Sequence, residues 1–319
     1  MAGVQLKYTA EKNAQKALKY EFCQGLKLET VKDFVQSTLA KIGRNGMFAE
    51  YTMHDISHVN GVLQLLDKII PDKTKKIMTD ADWLMIVLSV YFHDLGMYIP
   101  DQEFENRRSN EEFLVFEEEM RRYPSVMTYL SSLDDDKQSR FIYQKYVRKN
   151  HGARVAEWIK NCDKKPGEPY ELIRDKIGML DALSRTMLAE ICRSHQLNEL
   201  PEFLQSADRS LGPSAQEKVN LLYVSVLLRS ADLLHITQDR TPNVEFRLIS
   251  PRNEISIMEW QKQKAVRSLE IRYERKSGGR MDDSVQPHAF EIQAEFEKAE
   301  CYFAFASYVL YKSAVETRY

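Results

Sequence analysis

The sequence predicts a mainly helical protein that ends in a small α+β unit. Hydrophobic residues make up 43 % of the 319 residues and recur at helical spacing over most of the chain, which has only 12 Gly and 10 Pro. Average proteins contain about 12 % of these two residues together, and this chain contains a smaller fraction. A turn-rich β sandwich is therefore disfavoured. The length corresponds to about two domains. A change of composition after Pro242 predicts a helical domain over 1–241 and a smaller unit over 242–319.

Amphipathic segments predict the helices of the first domain. Pro71 ends the helix that starts at His58, and Asp80 or Asp82 is predicted to cap the next helix, which is apolar on nearly all sides and ends at Gly96. The predicted helices cover 8–43 (two helices), 58–70, 80–96, 109–122, 125–132, 140–161, 171–196 and 214–236.

The second unit is predicted to have the order βαββα, because apolar and polar residues alternate in three segments, as in half-buried strands. The predicted strands are Val244–Ile249, Ser268–Arg275 and Ala289–Phe296, and the predicted helices are Ile257–Val266 and Glu297–Val315.

Charge and hydropathy exclude two classes of protein. The net charge of −2 excludes a strongly basic nucleic-acid coat, which needs many Lys and Arg side chains facing phosphates. The longest apolar stretch, Trp83–Phe92, is half as long as the about 20 residues of a membrane helix. The N-terminus has no apolar segment typical of a secretory signal, and four widely spaced cysteines indicate reduced thiols. We therefore expect a cytoplasmic protein without a membrane segment.

Histidines and acids in apolar helices carry the functional information. His93 and Asp94 end the most hydrophobic predicted helix, and Asp232 interrupts the apolar helix over 214–236. A buried carboxylate without a partner costs several kcal/mol. Two such carboxylates on the two most apolar helices indicate a shared cation, and a divalent metal ion bound by imidazole and carboxylate groups is the simplest solution.

The order of these residues resembles the H…HD…D signature of the HD superfamily of metal-dependent phosphohydrolases, whose fold is a helical bundle. The local sequences agree with it: His58-Val-Asn-Gly-Val, Tyr-Phe-His93-Asp94-Leu-Gly and Leu-Leu-Arg-Ser-Ala-Asp232-Leu-Leu. Many members have Lys after the HD-x-G segment, where this chain has Met97.

The resemblance covers roughly residues 45–236 and includes a second pair of histidines. His151 and His195 stand where two-metal members carry an extra pair. The resemblance therefore implies two divalent ions of Mn, Fe, Co, Ni, Zn or Mg, with Asp94 bridging them as the central catalytic residue. The implied ligands are His58, His93, Asp94, His151, His195 and Asp232.

Several residues near the implied ligands have more than one interpretation. His54, one helical turn before the first implied ligand, is predicted as catalytic, and its alternatives are a metal ligand, a substrate contact or a helix N-terminal residue. Asp55 is predicted to cap that helix. The alternative role of Asp232 is an ion pair with Arg229, one turn earlier, and His235 is predicted to be structural.

Basic residues beside the second pair of histidines are candidates for contacts with the substrate. Arg193, two residues before His195, is predicted as catalytic, since Arg and Lys stabilise charge on phosphoryl oxygens. The predicted substrate-binding residues are Lys145, Arg148 and Lys149. The alternative for all four is a solvated helix face.

The resemblance implies hydrolysis of a phosphate ester of a nucleotide or short nucleic acid by a metal-activated water. The alternatives are a metal-dependent single-strand nuclease and a non-catalytic module that senses a nucleotide. The segment from Tyr51 to His58 and the His93-Asp94-Leu-Gly-Met segment resemble a subgroup of HD domains found beside GHKL-type ATPases in microbial conflict systems. This subgroup implies a role in antiviral defence, with an associated ATPase or a second copy of the chain as partner.

Overall fold

The computed structural model describes residues 5–42, 47–48, 55–205, 208–236, 254–273 and 287–316. These residues are mainly helical, as predicted, and none of their helices combines the length and hydrophobicity that a membrane span requires. The helices are α1 Thr9–Ala14, α2 Leu28–Leu39, α3 Ile56–Ile69, α4 Asp72–Ile77, α5 Asp80–Phe92, α6 Asp101–Glu105, α7 Glu111–Arg121, α8 Pro124–Leu130, α9 Asp135–Asn161, α10 Tyr170–Ile177, α11 Ala182–Ser194, α12 Glu202–Gln205, α13 Leu221–Leu234, α14 Glu254–Ala265 and α15 Ala299–Glu316.

Helix α5 forms the centre of the bundle. All 13 of its residues are buried, and α1, α3, α11 and α13 pack around it. A helix that is apolar on every side has no face for solvent, so it must lie inside other helices.

The predicted N-cap residue of α5, Asp80 or Asp82, was wrong. Thr79 caps α5, because its hydroxyl accepts the N–H of Asp82 at 2.9 Å while the Asp82 carboxylate accepts the N–H of Thr79 at 3.0 Å.

Two other predicted helices differ in their bounds. Helix α9 begins at Asp135, earlier than predicted, because the carboxylate of Asp134 caps it by accepting the N–H of Lys137 at 2.9 Å. The segment predicted as helical over 171–196 is divided into α10 and α11. Asp181 starts the second of these helices by accepting the N–H of Ser184 at 2.6 Å.

Two small antiparallel sheets accompany the helices. Strands β1 Arg209–Ser210 and β2 Lys218–Val219 are too short for sequence periodicity to predict. Strands β3 Val266–Tyr273 and β4 Pro287–Ala294 pair so that Leu269 lies opposite Ile292.

The paired strands confirm two of the three predicted strands. Helices α14 and α15 flank them, as predicted, and the first predicted strand, Val244–Ile249, lies outside the described residues. Leu269 and Ile271 of β3 pack against the main hydrophobic core, and the hydroxyl of Tyr273 donates to the carbonyl of Lys68 at 3.1 Å. The hairpin therefore contacts the helical bundle beside α3.

Candidate metal centre

The structure brings the six predicted ligands together in two adjoining groups. Within each group, one ligand atom per residue lies within 4.8 Å of the others. The groups are His58, His93 and Asp232, here called the first group, and Asp94, His151 and His195, here called the second group.

Most of these side chains lie at helix ends. His58 is in the first turn of α3, which Asp55 caps, as predicted, by accepting the N–H of Ser57 at 2.8 Å. His93 and Asp94 follow α5 directly, and His195 follows α11 in the same way. Helix ends that meet in the core therefore carry polar side chains to one place, while the helix bodies remain apolar.

The two groups meet because α9 approaches the turn after α5 closely. His151 lies in the middle of α9, and a Cβ atom on Gly96 would come within 2.0 Å of the His151 carbonyl oxygen. Only glycine permits this backbone approach. The glycine of the Leu-Gly segment after His93-Asp94 thus has a packing role in the centre.

The carboxylate of Asp94 faces both groups. Its Oδ2 atom lies 3.4 Å from Nε2 of His58 and 3.3 Å from Nε2 of His93, whereas its Oδ1 atom lies 3.3 Å from Nε2 of His151. Asp232 closes the first group, with Oδ1 3.2 Å from Nε2 of His58. In the second group, the Nε2 atoms of His151 and His195 are 2.8 Å apart.

The hydrogen bonds at the far side of the rings fix where the protons lie. Nδ1 of His93 is 2.9 Å from the carbonyl oxygen of Val90, and Nδ1 of His195 contacts the carbonyl oxygen of Cys192. A carbonyl only accepts, so each Nδ1 carries a proton, and Nε2 of the neutral ring then presents a lone pair. Nδ1 of His151 in the second group lies 2.8 Å from the carbonyl oxygen of Arg148 and 2.7 Å from the side-chain amide nitrogen of Gln196.

Lone pairs and carboxylate oxygens therefore converge on one small volume. Nε2 of His58 and Nε2 of His93 are 3.2 Å apart, and both lie beside carboxylate oxygens, so the lone pairs of the two neutral rings can bind one cation. Imidazole nitrogen and carboxylate oxygen together are a ligand set for divalent transition metals. The residues present therefore fit the metal ions that the sequence implies.

The pKa shifts of His93 and Asp232 show that the first group favours positive charge between the carboxylates of Asp94 and Asp232. Burial lowers the pKa of His93, but Asp94 and Asp232 more than offset it and raise the pKa to about 9. Burial raises the pKa of Asp232, but a hydrogen bond from His58 and the charge of His93 hold it well below its usual range. Burial, with smaller contributions from His151 and His93, lowers the pKa of His195 to about 3. His195 is therefore neutral, which is the form that binds metal.

The predicted catalytic and substrate-binding cations lie near the centre in sequence but make other contacts. The Arg193 side chain is 47 % exposed, with Nη1 3.9 Å from a carboxylate oxygen of Glu190. The amines of Lys145 and Lys149 lie over the rings of Phe141 and Phe116. Arg148 is partly buried, and its carbonyl accepts from the side-chain amide of Gln196 at 3.0 Å. His54 lies outside the described residues.

Arg229 stabilises the helix end that carries His195. Its guanidinium donates to the carbonyl of Ser194 and, at 2.7 Å, to the carbonyl of Leu197. The side chain is buried and reaches from α13 to the C-terminal end of α11. The sequence offered Arg229 only as an alternative partner for Asp232, since its distance from α11 along the chain hides this contact.

Arg154 fixes the segment that follows Asp94. Its guanidinium donates to the carbonyls of Gly96 at 2.8 Å and Tyr98 at 2.9 Å, and it forms an ion pair with Glu103. Because Arg154 lies one turn after His151 on α9, the same helix holds a predicted ligand and the segment 95–103.

A cleft of about 480 Å³ opens beside this segment. Its wall begins at Met97, whose N–H donates to the Asp94 carbonyl at 2.9 Å. The lining includes buried Met47 and Phe48. Phe48 has a positive φ of 59°, and its N–H donates to the side chain of Gln144 at 2.8 Å. A bulky residue in this conformation is strained, and such strain concentrates at binding sites.

The sides of the cleft combine aromatic rings with charges. The guanidinium of Arg107 lies 4.1 Å from the centre of the Phe104 ring, and the amine of Lys41 lies 5.3 Å from the centre of the Tyr98 ring. The acids of the lining are Asp101, Glu105 and Asp136. No pattern in the sequence pointed to this cleft, because its residues come from four separate segments.

Comparison with protein families identifies the chain. The model of the HD-CE family matches residues 48–304, which is more than half of the chain. The chain belongs to the HD-CE family. The predicted resemblance to HD-type domains is thus confirmed, and HD-CE membership together with the two ligand groups supports a metal-dependent hydrolase. No curated protein and no solved structure matches the chain.

Proposed function

We propose that this HD-CE protein hydrolyses a phosphate ester of a nucleotide or short nucleic acid with two divalent cations. The observation that carries the proposal is the Asp94 carboxylate, whose two oxygens face the two different ligand groups at 3.3–3.4 Å. A carboxylate shared by two ions is what a two-metal hydrolase needs, since its ions lie about 3.5–4 Å apart.

Each residue has a defined part in this proposal. His58, His93 and Asp232 would hold one cation, His151 and His195 would hold the other, and Asp94 would contribute to both sites. Bound divalent cations lower the pKa of water towards neutrality and stabilise negative charge on phosphoryl oxygens. The protein contributes rigid ligands, because His93 and Asp94 are at most 6 % exposed and are fixed by the core helix α5.

The cleft beside Met97 supports a substrate that carries a nucleoside. Its volume lies within the range of about 300–1,000 Å³ of small-molecule sites, and the ring of Tyr98 in its lining offers a stacking surface for a base. Arg107 and Lys41 add cations, and the acids of the lining can accept hydrogen bonds from amino and hydroxyl groups. The three acids of the lining balance its three cations, Lys41, Arg107 and Arg140, so we assign the phosphate to the metal ions and the nucleoside to the cleft.

The reaction is tested with protein purified without chelator, supplied with Mn²⁺, Co²⁺ or Ni²⁺ and screened against nucleotides and single-stranded DNA. We expect phosphate or phosphodiester products from nucleotides, and complete loss of turnover on chelation. Cleavage of DNA without turnover of nucleotides would instead establish the nuclease alternative. Tight nucleotide binding with unchanged ligand would establish the sensing module, and either result would overturn the proposal.

The cleft is tested by Arg107→Gln, with Arg108→Gln as matched control. Arg108 is the next residue, its exposed side chain forms an ion pair with the buried Glu117 at 2.6 Å, and it does not line the cleft. We expect Arg107→Gln to raise KM for the nucleotide about tenfold and to leave hydrolysis of p-nitrophenyl phosphate, which has no nucleoside, unchanged. Equal effects on the two substrates would contradict this assignment.

A further inference from the structure

One ligand histidine is held differently from the others. His93 and His195 direct Nδ1 to a carbonyl of their own helix, whereas Nδ1 of His58 lies 2.8 Å from Nδ1 of His235. His235 directly follows α13 and is buried, and its ring stacks on that of His58 with the ring centres 5.0 Å apart. The hydrogen-bond partner of Nδ1 in His58 is therefore a side chain at the end of another helix, and not a backbone carbonyl of α3.

The direction of the hydrogen bond follows from the side of the ring that faces the carboxylates. Nε2 of His58 points at Asp94 and Asp232 and must keep its lone pair to bind a cation. The proton of the neutral ring then belongs on Nδ1, and Nδ1 of His235 must accept it. A histidine ligand that donates its second N–H to an acceptor is held in one tautomer and one orientation.

The helix that carries His58 leaves room for this second ring. Gly61 lies one turn after His58, on the same face of α3. A Cβ atom at Gly61 would lie 2.2 Å from Nε2 and 2.5 Å from Cε1 of His235. The absence of a side chain at this position thus allows the His235 ring to lie between α3 and the ring of His58.

We propose that His235 is a positioning residue for the metal centre, which accepts the Nδ1 proton of His58 so that Nε2 of His58 is presented to the cation, and that Gly61 provides the space it needs. His235 itself is not assigned as a ligand. The inference rests on the proposed cation site of the first group, but it assigns a role to two residues outside that site.

The test separates the role of His235 as a hydrogen-bond acceptor from the role of its ring in packing. His235→Asn keeps an acceptor close to the position of Nδ1 and loses the ring, whereas His235→Phe keeps a ring and loses the acceptor. Mn²⁺ affinity of the full chain is measured by titration with detection of free Mn²⁺ by electron paramagnetic resonance, and thermal melting of the metal-free proteins is measured in parallel. We expect His235→Phe to weaken Mn²⁺ binding about 10- to 100-fold and His235→Asn to retain most of the affinity.

A role in packing alone gives the opposite order, with Phe close to wild type and Asn impaired, and that result would overturn the inference. Should the Phe variant fail to fold, Gly61→Ala provides a second route. This variant must displace the His235 ring and weaken Mn²⁺ binding in the wild-type background. It should have less effect in the His235→Asn background, where the outer ring atoms are gone. Equal effects of Gly61→Ala in both backgrounds would also contradict the role of His235.

The two proposals fail in different ways. A wild-type chain that binds no Mn²⁺ overturns the proposed function, and the inference with it. A wild-type chain that binds Mn²⁺, together with a Phe variant that binds it equally well, overturns only the role of His235.

Discussion

The histidines of the two ligand groups differ in burial and in their hydrogen-bond partners. In the first group, His58 and His93 are 1 % and 0 % exposed, although the side chain of Asp232 is 23 % exposed, whereas His151 in the second group is 9 % exposed and His195 is partly exposed. The first group joins α3, α5 and α13 around the centre of the core, and the second joins the α9–α11 pair to the turn after α5.

The difference indicates two cation sites of unequal strength. Charges interact more strongly where water is excluded, so the first group is expected to bind its cation more tightly. The histidines of the second group are nearer to solvent, so its cation is expected to exchange more readily. Asp94 belongs to both, because each of its oxygens faces one group. Substitutions should therefore have graded effects, which depend on whether they affect both groups, one group, or only the support of one group.

The largest effect is expected for Asp94→Ala, which removes the carboxylate that the groups share. We expect loss of both cations and of hydrolysis, while circular dichroism stays helical. Asp82→Ala is the matched control, since Asp82 is a buried acid at the other end of α5 whose carboxylate accepts backbone N–H groups of Thr79 and Asn220. Loss of this cap should cost about 0.5–2 kcal/mol of unfolding free energy without loss of metal. Full metal content in the Asp94 variant would contradict the site.

The expected difference in strength between the two cation sites is tested by comparing the metal content of His93→Ala with that of His195→Ala. The first variant removes a wholly buried ligand of the first group, and we expect it to lose the tightly held cation and all turnover. The second should retain that cation and lose only the one that exchanges readily. Metal content after dialysis at graded chelator concentrations distinguishes the two outcomes. Equal metal loss in both variants would show that the groups do not differ in strength.

The smallest effect is expected for Arg229→Met, which removes support for His195 without removing a ligand. The carbonyls of Ser194 and Leu197 lose their donor, so the end of α11 is less firmly held. We expect the second cation to bind about tenfold more weakly and the first to be unaffected.

Arg185→Met is the control for the loss of a buried arginine. Arg185 donates to the carbonyls of Gly178 and Leu180 at the other end of α11. Its replacement should lower the melting temperature and leave both cations in place. A comparable loss of metal in the two arginine variants would refute a specific role for Arg229.

The sequence predicted the helical fold and assembled the candidate ligands because both leave a local signal. Apolar periodicity marks the helices, and a histidine or carboxylate such as His93 or Asp232 stands out against an apolar background. The same reasoning missed the break between α10 and α11, and it gave the cap of α5 to Asp80 or Asp82 instead of Thr79. Neighbouring acids and hydroxyls give competing cap signals, so boundaries are less certain than elements.

Contacts between segments that are far apart in the sequence leave no local pattern from which they could be predicted. The pairing of His58 with His235 and the contact of Arg229 with α11 join residues on different helices. Arg107 lines the cleft, although no pattern in the sequence distinguishes it from other charged residues. Lys145, which was predicted to bind the substrate, lies over the ring of Phe141. A role that depends on which helices meet becomes visible only when the fold is known. The domain boundary between 241 and 242 stays a prediction.

The central claim is that Asp94 joins two cation sites, and the metal-to-protein ratio tests it most directly. The ratio is measured for the wild type and for the double variant His151→Ala with His195→Ala, both purified without chelator and saturated with Mn²⁺. We expect a fall from about two ions per chain to about one, as in a two-metal centre that loses one site. A ratio of about one in both proteins, with weaker substrate binding in the variant, would mean that these histidines contact the substrate and would contradict the two-cation centre.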